Sequence, residues 1–137
     1  MYIICHYHEI GLKGKNRKFF EEKLVENLKR SLDKINFEFV KRISGRIIVK
    51  LTDTGLKQEN KIKKSLKNVF GMVFFVFAHS VKPEIKIINK KALEILEQEK
   101  FKTFRIQTQR SVKDFPLKAP TVSLTFGDFK GKSLSDL

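Results

Sequence analysis

Apolar positions along the first eighty residues follow two different periods. Residues 2–8 alternate weakly and open on the β-formers Tyr2, Ile3 and Ile4, which predicts a strand. Gly11 and Gly14 punctuate the loop after it. Phe20, Leu24, Leu28 and Leu32 then recur at every fourth position. That spacing puts them on one helical stripe, with Lys18, Glu22, Lys29 and Arg30 largely off it. A helix over residues 16–32 is expected, with Asn16 as its N-cap. Ile35, Phe37 and Phe39 alternate with Asn36 and Glu38, a strand with one buried face. Ser44-Gly45 marks a turn, and Ile47, Val49 and Leu51 alternate again. Residues 35–43 and 46–51 therefore read as a hairpin. Residues 52–55 read as a loop. Ile62, Leu66, Val69 and Phe70 predict a second amphipathic helix that Gly71 can end. The apolar run from Met72 to Ala78 suits a strand covered on both faces.

The resulting order, β-α-β-β-α-β, is an α+β arrangement of the ferredoxin-like kind. It implies an antiparallel sheet with both helices on one face, filling residues 1–82. The last strand then poses a problem. Phe74 and Val76 point one way, and Val73, Phe75 and Phe77 point the other. Helices cover one face only, so the second face must meet something, and Val73, Phe75 and Phe77 are expected to form it. Pro83 opens a second section, residues 83–137. Ile87, Lys91 or Ala92, Ile95 and Leu96 predict a helix over 84–99. Residues 103–108 read as a strand, with Phe104 and Ile106 inward and Arg105, Gln107 and Gln109 outward. A basic loop with two prolines runs over 110–120, and the tail from about residue 121 has no clean period.

Charge adds a direction. The chain of 137 residues carries a net charge of +14. The excess is spread out: 12 basic against 6 acidic residues in 1–50, 10 against 6 in 51–100, and 7 against 3 in 101–137. Such a surface favours polyanions, although Lys-rich proteomes yield basic proteins of every function. Cys5 is the one cysteine, so no internal disulfide forms and a reducing, cytoplasmic setting is expected. No secretory signal pattern opens the sequence, and the longest apolar run is too short for a membrane span. No membrane role is expected.

Lys13, Lys15, Arg17 and Lys18 stand with Gly14 and Asn16 at the predicted helix entrance. Cations there oppose the helix dipole, by a few tenths of a kcal/mol each. A phosphate would reverse that sign, because free backbone N–H groups and the side chains would both favour it. The competing reading is a solvated basic turn balanced by Glu21 and Glu22. The segment lacks the spacing of a P-loop. A second group is Arg105, Gln107, Gln109, Arg110, Lys113 and Phe115. Cations for phosphates, amides for base edges and a ring for stacking suit single-stranded RNA. Equally, Phe115-Pro116 can simply pin the loop. Cys5, His6 and His8 could in principle hold a metal, but a third convergent ligand is not visible, so no metal site is assigned. No catalytic motif is found, and no catalytic residue or cofactor is assigned.

These residues resemble a known family. His6-Tyr7-His8-Glu9-Ile10-Gly11-Leu12-Lys13-Gly14-Lys15-Asn16-Arg17, with Phe20-Glu21 and Leu24, is similar to the opening of tRNA 4-thiouridine synthetase, a tRNA sulfurtransferase that also serves thiamine biosynthesis. Gly45-Arg46-Ile47 and Val69-Phe70-Gly71 resemble later marks of its ferredoxin-like domain. The stretch from Phe101 to Pro116 is similar to the start of the THUMP domain that follows, which makes 83–137 a partial THUMP-like segment. The resemblance implies tRNA as partner, gripped at the acceptor stem and 3′ end. It implies contacts at Lys13, Lys15, Asn16, Arg17, Arg110, Lys113 and Phe115, to which the residue reading adds Lys18 and Arg105. In that family a separate ATP pyrophosphatase domain carries the chemistry. Its Ser-Gly-Gly-x-Asp-Ser loop is absent here, and Gln109 stands where the family pattern has lysine. The expectation is an RNA-binding module that is not an enzyme by itself. The alternative is an interaction subunit that docks a separately encoded pyrophosphatase-domain protein. A homodimer is a further expected form.

Overall fold

A computed structural model of the chain describes residues 1–8, 14–43, 45–98, 100 and 106–108. Two compact units divide it, Met1–Ser80 and Val81–Leu137. In the first, the elements run β1 (Tyr2–Tyr7), α1 (Gly14–Ser31), β2 (Phe37–Ile43), β3 (Arg46–Leu51), α2 (Asp53–Leu56), α3 (Glu59–Lys67) and β4 (Met72–Ala78). The four strands form one antiparallel sheet in the order β2-β3-β1-β4. Consecutive elements thus interleave, with β1 at the centre between β3 and β4, as the split βαβ arrangement requires.

The core lies between one sheet face and the two longer helices. Ile3, Cys5, Ile47 and Val49 from the strands meet Leu24, Leu28 and Leu32 from the first helical stripe and Ile62 and Leu66 from α3. All are essentially inaccessible to water. Each large aliphatic group buried this way contributes roughly 1.5–3 kcal/mol, which fixes the hand of every alternation in the sheet.

Several expectations change in detail. The first helix begins at Gly14, two residues before Asn16, so Asn16 lies inside its first turn and is not the N-cap. Residues 52–55 are not a plain loop. Asp53–Leu56 is a short helix whose N-cap hydroxyl, on Thr52, accepts from the Gly55 N–H at 3.1 Å. In β2 the phase slips. Phe37 pairs with Leu51, but Phe39 pairs with Lys50, leaving an extra residue between them. A one-residue slip exchanges the faces. Phe37 therefore packs on the core, Phe39 is exposed, and Val40 turns inward in its place.

The final strand corrects the expectation of cover on both faces. Phe75 and Phe77 pack against the core, opposite Cys5 and Ile3 of β1. Phe74 and Val76 occupy the outer face and are exposed. The outer apolar face is thus Phe74 and Val76, not Val73, Phe75 and Phe77. A register shift between His6 and Tyr7 leaves Val73 exposed as well. Phe70 lies beyond the end of α3 and is exposed instead of joining its apolar stripe, while Val69 is buried.

Gly71 follows Phe70 in a left-handed conformation. Its φ is +89°, and a Cβ added there would stand 2.8 Å from Cζ of Phe20. Substituting Gly71→Ala is expected to cost about 2 kcal/mol, from the left-handed backbone and the displaced ring. A urea titration checks this, and an unchanged midpoint would show that Phe20 moves freely.

In the second unit, α4 spans Ile85–Glu97. Asn89 and Leu93 are its buried residues, and Ile95, expected inward, is exposed. Ile106 and Thr108 are half-buried and Gln107 is exposed, without strand geometry over 106–108. The rest of the strand expected over 103–108 lies outside the described residues.

Candidate nucleic-acid interface

The first turn of α1 carries no acidic residue. Lys15, Asn16 and Lys18 are exposed on it, and Gly14 opens it with φ +58°. A side chain would strain that backbone, so glycine suits the tight approach to the helix. Lys18 meets Glu22 at 3.9 Å on the open surface, an ion pair of little strength.

Arg17 behaves differently. It turns back along the helix to Glu21, with Nε 3.2 Å from Oε1. Glu21 is 5% exposed, a carboxylate on a buried stripe. The phenol of Tyr7 in β1 donates to the same oxygen, and Arg42 Nη1 in β2 lies 2.7 Å from Oε2. Three elements are thus tied through one carboxylate. Burial pushes the Glu21 carboxyl pKa up, but hydrogen bonds from Tyr7 and Arg17 and the charge of Arg42 outweigh it. The net pKa is below the ordinary value, so the group stays charged. Burial, and then the bond to Glu21, push the Tyr7 phenol up to about 12.

Gly14, Arg17, Lys18, Glu21, Arg42 and Gly45 line one recess of about 440 Å³. The helix entrance and the β2–β3 turn therefore converge. Residue reading placed Arg17 and Lys18 here and missed Arg42 and Tyr7. A signal existed: Arg17, Glu21, Leu24 and Leu28 fall on one helical stripe, so a charged pair sits in line with core leucines. The partner strands could not be read from that spacing.

Lys13, Arg105, Arg110, Lys113 and Phe115 lie outside the described residues. The possible metal trio is not convergent. Cys5 is buried on the core face, where burial pushes its thiol up to about 12. His6 is on the other face, stacked on Phe74 with ring centroids 4.3 Å apart, and His8 is exposed. Burial and the nearby charge of Arg46 lower the pKa of His6. Among the described residues no group of three or more His, Cys, Asp or Glu could hold a metal ion. No described helix is long and apolar enough to cross a membrane.

Comparison with known proteins adds a frame. The family model for the ThiI ferredoxin-like domain matches residues 2–75. A "Probable tRNA sulfurtransferase" of Moorella thermoacetica is 34% identical over 93% of the chain and 32% of its own length. One from Thermoanaerobacter pseudethanolicus is 33% identical over 98% and 34%. The chain therefore spans about a third of the length of these relatives. Among solved structures, PH1313 from Pyrococcus horikoshii Ot3 superposes with a TM-score of 0.77 at 28% identity, over 93% of this chain and 43% of that one. A 4-thiouridine synthetase, solved as an RNA complex with bound ATP, superposes at 0.74 with 30% identity, over 93% and 32%.

Proposed function

The chain belongs to the ThiI ferredoxin-like domain family, and from that premise we propose that it is a tRNA-binding module of a tRNA sulfurtransferase-like protein. The observation that carries the reading is the cationic entrance of α1. There Lys15, Asn16 and Lys18 are exposed beside the recess that Arg17 and Arg42 line. Backbone N–H groups of a first helical turn and convergent cations suit phosphate oxygens. A solved relative that carries RNA in its complex supports the same reading.

In this reading Lys13, Lys15, Asn16, Arg17 and Lys18 grip acceptor-stem and 3′-end phosphates, with Arg42 added from the sheet. Arg105, Arg110, Lys113 and Phe115 of the second unit are RNA contacts in the same reading. The module is not an enzyme by itself. The pyrophosphate loop that activates a uridine in the resembling family is absent from these 137 residues. A second reading rests on the exposed outer sheet residues Phe39, Ile43, Phe74 and Val76. They suit contact with a pyrophosphatase domain or a second copy of the chain.

Titration of the chain with unmodified tRNA over a salt series tests the first reading. Each phosphate neutralised on a duplex backbone contributes about −0.9 to the slope of log K against log salt, so the five cations of the first unit alone predict a slope of about −4.5, and the three of the second unit steepen it. Binding that does not weaken with salt would rule out a phosphate grip.

A further inference from the structure

Two large rings stand in water beside this interface. Phe70 is 88% exposed and Phe19 is 64% exposed. Neither serves the core, and an open cleft of about 360 Å³ joins them. Asn16, Lys23 and Asn27 of α1 line the same cleft, and Phe20 forms part of its wall. From this arrangement we propose that the cleft takes one unstacked base of the bound RNA. The proposal rests on the reading that this chain binds RNA, and it names what that RNA must present: an unpaired nucleotide next to the gripped phosphates.

The chemistry is specific to a base. Exposed rings supply flat apolar faces, on which any base stacks. The amides of Asn16 and Asn27 each offer a donor and an acceptor, which a base edge can use. The ammonium of Lys23 suits the adjoining phosphate. It meets Glu26 at 2.8 Å in an exposed pair, which a phosphate can displace. The position also fits. Asn16 belongs to both the first turn of α1 and the cleft, so a backbone held at the helix entrance leads directly to the rings. Gly71, next to Phe70, adopts φ +89° and lies so close to Phe20 of the cleft wall that an added Cβ would stand 2.8 Å from its Cζ.

The test uses the whole chain and two RNA hairpins with equal numbers of phosphates. One is blunt, and the other has a single-stranded 3′ extension carrying 2-aminopurine, whose fluorescence falls on stacking. The wild type is expected to quench the probe and to prefer the extended hairpin. Phe19→Leu and Phe70→Leu should each weaken binding of the extended hairpin about tenfold and abolish the quench. They should leave blunt-hairpin affinity, the salt slope and the unfolding midpoint unchanged. Phe70→Trp should restore both affinity and quench. Leucine variants that still quench, or that weaken both hairpins equally, overturn the proposal while leaving the phosphate grip standing. Unchanged RNA binding with loss of self-association in sedimentation would instead make the cleft a protein contact, and overturns it too. A wild type that binds neither hairpin removes the parent reading and this one together.

Discussion

Changing Lys13, Lys15 and Lys18 together to Glu is expected to weaken tRNA binding about a hundredfold and to reduce the salt slope by about 3. Lys13 is chosen from the sequence, and Lys15 and Lys18 from the structure. Lys15 and Lys18 are exposed on the first turn of α1, and their reversal leaves the core untouched. Arg17 is left in place because it bonds the buried Glu21, so its reversal would set two carboxylates against each other and confound affinity with folding. Negative charge at a helix N-terminus is otherwise favourable, by about 0.3–1 kcal/mol. Lys18→Glu faces Glu22 across an exposed pair of little strength, so the triple variant should unfold within about 0.5 kcal/mol of the wild type. Loss of affinity without loss of stability is the diagnostic pair of results. Fluorescence anisotropy across a salt series, alongside a urea titration, measures both. Affinity within about threefold of wild type, with an unchanged slope, would remove the α1 entrance from the interface.

The second large effect concerns stability. Glu21→Gln is expected to destabilise the first unit by about 2 kcal/mol at neutral pH, and Glu21→Ala by more. Removing the carboxylate leaves Tyr7, Arg17 and Arg42 without the group they share. The figure is kept at the low end for a buried pair because the Arg17 and Arg42 side chains are 40% and 42% exposed, and water compensates them in part. The pH dependence has a definite sign. The folded pKa of Glu21 is below its unfolded value, so its contribution is present in full above the unfolded pKa and is lost as pH falls through the folded one. The gap between wild type and Glu21→Gln should therefore close in acid. Tyr7 acts at the other end. Its folded pKa is raised to about 12, so it favours folding below the unfolded value of 10.0 and loses that contribution as pH rises from there towards 12. Denaturant midpoints for both proteins across pH check the two limbs. A Glu21→Gln protein as stable as the wild type at neutral pH would show that the network is energetically neutral.

The two effects meet in one place. The carboxylate that ties α1 to β1 and β2 also aims two guanidinium groups at the recess beside the helix entrance. Arg17 and Arg42 come from positions 25 residues apart in the chain and share one acceptor. Glu21→Gln should accordingly weaken tRNA binding less than the lysine triple variant, since the cations remain while their placement loosens.

What the sequence determined by itself is the order of the four strands and two longer helices of the first unit, without the short helix Asp53–Leu56. The four-residue repeat of Phe20, Leu24, Leu28 and Leu32 specifies a helix, and the alternation of Ile47, Val49 and Leu51 specifies a strand. Such periods are local, because burial of a stripe or a face acts on neighbours within one or two turns. The cationic cluster before that helix is local for the same reason, and so are the marks Gly45-Arg46-Ile47 and Val69-Phe70-Gly71 by which the family was legible. Only the tertiary structure decided which face of each strand is the inner one. The slip between Phe37 and Phe39 inverted the faces of β2, and pairing with β1 sent Phe75 and Phe77 inward and Phe74 and Val76 outward. Both follow from register, which depends on the partner strand and is invisible in the strand's own alternation. The same holds for Glu21. Its position on a leucine stripe is local, but the Tyr7 and Arg42 groups that keep it charged there arrive from two strands that only folding brings beside α1.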